Sequence, residues 1–258
     1  MISSLTNAAV RHITLLQSKE KSRREEGLYI TEGVRMFAEV PADRLDSVYV
    51  TEDFLSGASF ETGERLARTG YELVSDDVMK KMSDTMTPQG ILCVVKAADH
   101  SLEEILDAGS LFCILDGLQD PGNLGTIFRT AEAAGVAGVI MSRDTVSIYN
   151  PKSVRSTMGT LFRMPFVYVD DTVEAIHMLQ AGGISVFASA LDGAKAYTDC
   201  DYRTASAFVI GNEGAGVSAR VQNAADERVF IPMEGSVESL NAAIAASVLL
   251  YEAHRQRA

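Results

Sequence analysis

Three short segments in the second half of the chain combine glycines with polar residues where an apolar run gives way to a helical pattern. The first, DGLQDPGNLGTIFRTAEAAG over 116–135, passes Pro121, Gly122, Asn123 and Gly125 and enters a helix that carries Arg129. Glycine lets a backbone approach a ligand closely, and a helix N-terminus favours anions. The segment therefore reads either as an ordinary strand-to-helix turn with a surface arginine or as a phosphate-handling loop. Its glycines stand at 117, 122 and 125, which fits neither GxGxxG nor a GK[ST] phosphate loop, so a dinucleotide or nucleoside-triphosphate site is poorly supported. The second, FVIGNEGAGVS over 208–218, ends a strand at Gly211 and sets Asn212 and Glu213 before Gly214 and Gly216. It is either a tight turn or a ligand loop at the C-terminal edge of a sheet, with Glu213 placed to cap a helix or pair with a cation. In the third, over 229–255, a strand ends at Ile231-Pro232-Met233 and a helix starts near Ser239. Leu240, Ile244, Val248 and Tyr251 form its expected apolar stripe, and Ser236 or Ser239 its expected N-cap.

The elements that must hold these segments are legible from hydrophobic patterning. From Ser110 onward, apolar runs alternate with helical or loop stretches: LFCILD (111–116), GVIMS (138–142), MPFVYV (164–169), SVFASA (185–190), AFVIG (207–211) and RVFIPM (228–233). Continuous apolar runs separated by helices indicate a parallel sheet covered on both faces. The first 97 residues read as a smaller α/β unit. A helix over 7–24 is expected, capped by Asn7, with Val10, Ile13 and Leu16 on its apolar side. Strands follow at Gly27–Ile30, Leu45–Val50 and Gly90–Lys96. The stretch 98–109, polar at its start and with helical character at Leu102–Leu106, is the expected linker, which divides the chain into 1–97 and 110–258.

The chain has 258 residues, enough for one large domain or two smaller ones, and 47% of them are hydrophobic. A mean hydropathy of +0.06 with no charge-rich block argues against wholesale disorder. No apolar run reaches the roughly 18 residues of a membrane span, and the N-terminus lacks the order of a signal peptide, so a soluble cytoplasmic protein is expected. Cys93, Cys113 and Cys200 form no CxxC and read as reduced core thiols. The four histidines form no HxxxH or HExxH pair, so no metal site is expected. A net charge of −12 is awkward for nucleic-acid binding. Two local stretches run the other way: Arg11, Lys19, Lys21, Arg23 and Arg24 against Glu20, and Arg143, Lys152, Arg155 and Arg163 against Asp144. Each is either solvated surface or part of a positive path for RNA.

Taken in order, Asn123 with Arg129, NEGAGVS, and IPMEGSVESLNAAIA resemble the three signature motifs of the SpoU (TrmH-type) RNA ribose 2′-O-methyltransferases of the SPOUT superfamily. The segments NAAVRHITLLQSKEKSRREEGLYITEGVRMFAEV and TPQGILCVV are similar to that family's N-terminal substrate-binding domain, and YNPKSVRSTMGTLFRMPF (149–166) to its inter-motif segment. The resemblance thus covers nearly the whole chain. One departure is the pair of alanines after Asn241, where relatives often carry valine and serine.

The resemblance implies an α/β catalytic domain with a parallel sheet and a deep trefoil knot, preceded by a smaller α/β RNA-binding domain. It implies S-adenosylmethionine as the methyl donor and a homodimer as the working form. Gly211, Ile231, Leu240 and Leu191 are then expected to line the donor pocket. Asn123, Arg129, Glu213, Ser239 and Asn241 match the polar positions of the active site. Arg129 is the family's nominee for the base, although a guanidinium holds its proton above about pH 12, so phosphate binding and alkoxide stabilisation suit it better. Glu213 would orient Arg129, while Asn123 and Asn241 fix loop and substrate geometry. Arg11, Lys19, Lys21, Arg23, Arg24, Lys152 and Arg155 are the expected RNA contacts. The expected substrate is large-subunit ribosomal RNA, with transfer RNA as the alternative. A non-catalytic RNA-binding or ribosome-assembly factor on the same fold is the other reading.

Overall fold

The basic stretch at the N-terminus folds as two helices rather than one. Asn7 accepts the Ala9 amide at 2.8 Å and caps α1 (Ala8–Ser18), which buries Val10, Ile13 and Leu16. The chain then turns extended at Lys19 and restarts as α2 (Glu20–Glu26). Arg23 of α2 causes the break to hold: its Nη1 donates to the open carbonyls of Leu16 (2.7 Å) and Gln17 (3.1 Å) at the end of α1. In this computed structural model, residues 1–98, 100–191 and 195–258 are described. They fall into two units, Met1–Ala98 with Ser147–Phe162, and Asp99–Val146 with Arg163–Ala258.

The first unit is built on strands β1 (Leu28–Glu32), β2 (Leu45–Val50), β3 (Glu72–Leu73) and β4 (Ile91–Lys96), in the order β1-β4-β2-β3. The central β4 runs antiparallel to β1 and β2, and its residues Ile91 to Val95 are all buried, as an unbroken apolar run demands. Helices α3 (Val34–Glu39), α4 (Glu52–Gly57), α5 (Phe60–Thr69) and α6 (Asp76–Met82) connect the strands. Thr51, Ser59 and Ser75 cap the last three of these through their side chains. One core cluster joins Val10, Ile13 and Leu16 of α1 to Val78, Met79 and Met82 of α6 and to Leu92 and Val94 of β4.

Segment 147–162 belongs to this first unit, whereas patterning placed it in the C-terminal domain. Tyr149 lays its ring 4.4 Å from that of Tyr29, and its hydroxyl accepts the Ala98 amide at 2.6 Å. Arg155 pairs with Asp84 at 2.6 Å. Gly159, at φ +96°, lies so near Glu39 that a Cβ there would fall 2.0 Å from its Oε2. Such contacts between residues distant in sequence leave no periodicity to read.

The second unit opens with α7 (Leu102–Asp107), inside the stretch expected to be a linker. A capping box between Ser101 and Glu104 starts it, and Ile105 is buried in the unit's core with Phe112, Ile140, Ile176 and Val209. The remaining elements are β5 (Leu111–Asp116), α8 (Pro121–Ala133), β6 (Gly138–Ser142), α9 (Pro151–Thr157, the helix of the segment that joins the first unit), β7 (Phe166–Val169), α10 (Thr172–Ala181), β8 (Ser185–Ser189), β9 (Lys195–Ala196), β10 (Ser206–Gly211), α11 (Ala219–Ala224), β11 (Glu227–Phe230) and α12 (Ala242–Arg257). Seven strands form one sheet in the order β7-β6-β5-β10-β8-β11-β9, and every pairing in it is parallel. This is the parallel α/β sheet that the apolar runs imply, with β10 buried along its whole length.

The last helix departs from expectation. It is capped by Asn241, which accepts the amides of Ala243 (2.9 Å) and Ile244 (3.3 Å), and not by Ser236 or Ser239. Its buried side is Ala242, Ala243, Ala246, Leu249, Leu250 and Ala253, while Ile244 and Tyr251 are about half exposed (50% and 48%). Small alanines let α12 lie close on its neighbours beside Leu249 and Leu250, while Ile244 and Tyr251 turn outward. The C-terminal turn is tied down by Arg257, which donates to the carbonyls of Tyr202, Thr204 and Ser110. Cys93 and Cys113 are core residues whose thiols burial pushes up to about 12, whereas Cys200 is only half buried. Among the described residues no helix is long and apolar enough to cross a membrane.

Candidate active site

At the C-terminal ends of β8, β10 and β11 lies a cavity of about 360 Å³, within the usual range for small-molecule sites. Its floor depends on Gly211. A Cβ on that residue would stand 2.1 Å from the carbonyl carbon of Gly216 and the nitrogen of Val217, both backbone atoms that cannot yield. Only a glycine therefore permits the chain to leave β10 and fold straight back over the strand end. Asn212 holds the fold-back. Its backbone exchanges hydrogen bonds with Gly216 (3.0 and 2.9 Å), its Oδ1 accepts the amides of Gly214 and Ala215, and its Nδ2 donates to the Gly117 carbonyl.

Glu213 projects from this loop and joins the three segments singled out by sequence. Its carboxylate accepts the backbone amides of Gln119 (3.0 Å) and Asp120 (2.8 Å) and the side-chain amide of Asn123 (3.0 Å). Asn123 in turn accepts Nδ2 of Asn241 at 3.0 Å. Asp120 caps α8 by accepting the Asn123 amide, and Asn241 caps α12, so two helix N-termini are held by one relay. Partial burial pushes the Glu213 carboxyl up, but the Asn123, Gln119 and Asp120 donors outweigh it and hold its pKa below the ordinary glutamate value.

Of the expected donor-pocket residues, Gly211, Ile231, Leu240 and Leu191 all line the cavity, with Glu213 and Ser239 beside them. Asn123 and Asn241 do not line it and adjoin it through the relay. Arg129 stands apart. It is exposed on α8, about 240° round the helix from Asn123, and it makes no hydrogen bond or ion pair among the described residues. Glu213 makes no hydrogen bond or ion pair to Arg129 among the described residues, and accepts instead from donors of the 119–123 turn. Sequence reading also missed Ala190, Met233 and Arg228 of the cavity wall, and Asn212 as the loop's organiser. The Asn-Glu-Gly spacing at 212–214 is an Asx-turn signal that would have found Asn212.

The expected RNA contacts divide. Arg11, Lys19, Lys21 and Arg24 are exposed. Arg23 is only 7% exposed and serves as the cap of α1, so it is removed from the set. The second basic stretch is not one patch: Arg155 pairs with Asp84 in the first unit, while Arg143 and Arg163 pair with Asp170 and Glu132 in the second. Lys152 is exposed within the first unit. Among the described residues, no group of three or more His, Cys, Asp or Glu side chains is arranged to hold a metal ion.

Comparison with known proteins matches residues 110–251 to the SpoU rRNA Methylase family and residues 7–93 to the MRM3-like substrate binding domain. The chain is 32% identical to the 23S rRNA (guanosine(2553)-2′-O)-methyltransferase RlmP of Bacillus subtilis, over 97% of each chain. Its fold resembles the AdoMet-bound rRNA methyltransferase from Sinorhizobium meliloti (TM-score 0.87, 29% identity, 98% of this chain and 97% of that one). It also resembles the SpoU methyltransferase AviRb from Streptomyces viridochromogenes in complex with AdoMet (TM-score 0.86, 29% identity, 97% and 98%). A family model matching more than half of the residues, and a relative aligned over nearly all of them, establish that the chain belongs to the SpoU rRNA methylase family.

Proposed function

We propose that this protein transfers a methyl group from S-adenosylmethionine to a ribose 2′-hydroxyl of large-subunit (23S) ribosomal RNA. The observation that carries the reading is the Glu213–Asn123–Asn241 relay, which draws the three motif segments together beside a glycine-floored cavity. The alignment with a 23S rRNA 2′-O-methyltransferase along nearly the full chain supports the same substrate class. The cavity fits the donor: Gly211 leaves backbone edges open where a side chain would fill the space, and Leu191, Ile231 and Leu240 offer an apolar wall to a flat ring. When bound there, S-adenosylmethionine supplies a methyl group already activated by its sulfonium.

The chain's own work is then alignment and charge. Glu213 holds the 119–123 turn and so fixes the N-terminus of α8. Asn123 and Asn241 fix the two helices against each other. Ser239 edges the cavity with its hydroxyl uncommitted among the described residues. Arg129, also uncommitted, is free to hold an RNA phosphate and to stabilise the 2′-alkoxide as it forms, the hydroxyl proton passing to water. The first unit is the RNA-binding part in this reading, with Arg11, Lys19, Lys21, Arg24 and Lys152 as contacts. A second copy of the chain covers the side of α12 that leaves Ile244 and Tyr251 half exposed, giving the homodimer. The trefoil knot of the C-terminal segment and a cytoplasmic site of action belong to the same proposal.

Calorimetric titration with S-adenosylmethionine, with NAD as control, followed by transfer of labelled methyl to a 23S rRNA transcript, tests this. Donor-specific binding and alkali-resistant label at one ribose are expected. A folded protein that binds no donor and labels no rRNA would overturn the proposal.

A further inference from the structure

The net charge of −12 makes unpaired cations informative, because most exposed arginines of this chain are matched to a carboxylate. Arg155, Arg143, Arg163, Arg220, Arg203 and Arg255 all sit in ion pairs. Lys80 and Lys81, in the last turn of α6, are exposed and make no hydrogen bond or ion pair among the described residues. Lys19, at the end of α1, is exposed likewise. The two helix ends meet, since Gln17 Nε2 donates to the Met82 carbonyl at 3.2 Å.

From this point the chain enters the loop 83–89, which is fastened from beneath. Glu32 accepts the hydroxyls of Ser83 (2.6 Å) and Thr85 (2.8 Å) and the amide of Gln89 (3.3 Å), while Ser83 Oγ accepts the Thr85 amide at 2.9 Å. Asp84 is occupied by Arg155. Glu32 and Asp84, the two carboxylates bonded to the loop or carried by it, are thus satisfied within the unit. At that tip Met86 is 98% exposed, with Thr87 and Gln89 exposed beside it.

Hydrogen bonds to Glu32 hold the loop 83–89, which begins two residues after the unpaired Lys81, yet nothing within the unit covers the thioether of Met86. We infer that the loop 83–89 reads an unpaired nucleotide of the RNA, with Met86 packing against the face of a splayed base and Lys80 and Lys81 holding flanking phosphates. This rests on the methyltransferase proposal and specifies how the first unit recognises its substrate. Apolar side chains, methionine among them, serve as wedges against bases, and sequence-specific RNA recognition favours unstacked nucleotides. A protein partner fits less well, since the core of a protein interface is depleted in lysine and is apolar over more than one side chain. Thr87 and Gln89 offer hydroxyl and amide groups for the base edge.

Fluorescence anisotropy of the full-length protein tests the inference, using a short labelled single-stranded RNA of mixed sequence and its fully paired duplex. The wild type is expected to favour the single strand by about tenfold, and Met86→Asp to lose about tenfold in single-strand affinity with little change for the duplex. The Lys80→Gln/Lys81→Gln double variant is expected to lower the slope of log K against log salt by roughly 1.4, about 0.7 for each lost phosphate contact. Calorimetric affinity for S-adenosylmethionine should be unchanged in each variant, which keeps folding and the donor cavity out of the readout. Single-strand affinity and salt slope equal to wild type in both variants would overturn the inference while leaving the methyltransferase proposal intact. Failure of that proposal shows separately, as wild-type protein that neither binds donor nor methylates 23S rRNA.

Discussion

The loop 212–217 and the outer face of α8 lie in the same unit and differ in how far the fold has already satisfied them. In the loop, Asn212 and Glu213 have their polar atoms engaged, and the backbone is packed so closely at Gly211 that no side chain fits. On α8, Arg129 is exposed and unengaged among the described residues. The cavity side is fixed by its own hydrogen bonds, and in the proposed function the exposed Arg129 takes its charged partner from the RNA. A flat donor needs a rigid slot, whereas an RNA backbone brings its own charges and needs only a cation left available.

The sharpest way to break this contrast is Gly211→Ala. The added methyl meets backbone at 2.1 Å, so the loop must move; we expect loss of donor binding by calorimetry and destabilisation of about 1–3 kcal/mol. Retained donor affinity would mean that the fold-back is not the floor of the cavity. Next comes Arg129→Ala, for which we expect methyl transfer to fall about 10²–10³-fold with donor affinity and Tm unchanged. Weakened donor binding would place Arg129 on the preorganised side and erase the distinction. Glu213→Gln removes the charge that three donors share, and about tenfold weaker donor binding is expected, each such bond being worth roughly 1.5–3 kcal/mol before relaxation.

Acid should do the same reversibly. Because the folded Glu213 pKa is depressed, its contribution is complete above the unfolded value of about 4.3 and is lost as pH falls through the lower folded value. Donor affinity that holds constant through that acid range would show the relay to be incidental. The smallest effect belongs to Arg155→Gln. Its pair with Asp84 is 40% and 45% exposed, so stability should change by less than about 1 kcal/mol in a denaturant titration.

How much was legible follows from what each residue answers to. The parallel sheet was legible because central strands must be apolar on both faces, and β5 and β10 are. Gly211, Glu213 and Asn123 were singled out because they match the family's motifs, whereas residue types and spacing alone left each segment between an ordinary turn and a ligand loop. The apolar side of α12 was not: its stripe was read from the large residues, and packing selected the alanines. Arg23 was counted as a surface charge because nothing local shows that the carbonyls of Leu16 and Gln17 would need it. Segment 147–162 was assigned by its neighbours in sequence, while its membership in the first unit is decided by Tyr29, Glu39 and Asp84.

By itself, the amino-acid sequence determined the α/β class, the order along the chain of all the strands but the two-residue β3 and β9, and the family motifs. These depend on composition, periodicity and spacing, which are local quantities. Only the tertiary structure decided that Glu213 clasps the 119–123 turn instead of Arg129, that Asn241 begins the last helix, and that Glu32 ties down the loop whose Met86 stays in water. Hydrogen-bond partners and burial are set by residues distant in sequence, and a chain reveals those only after it has closed on itself.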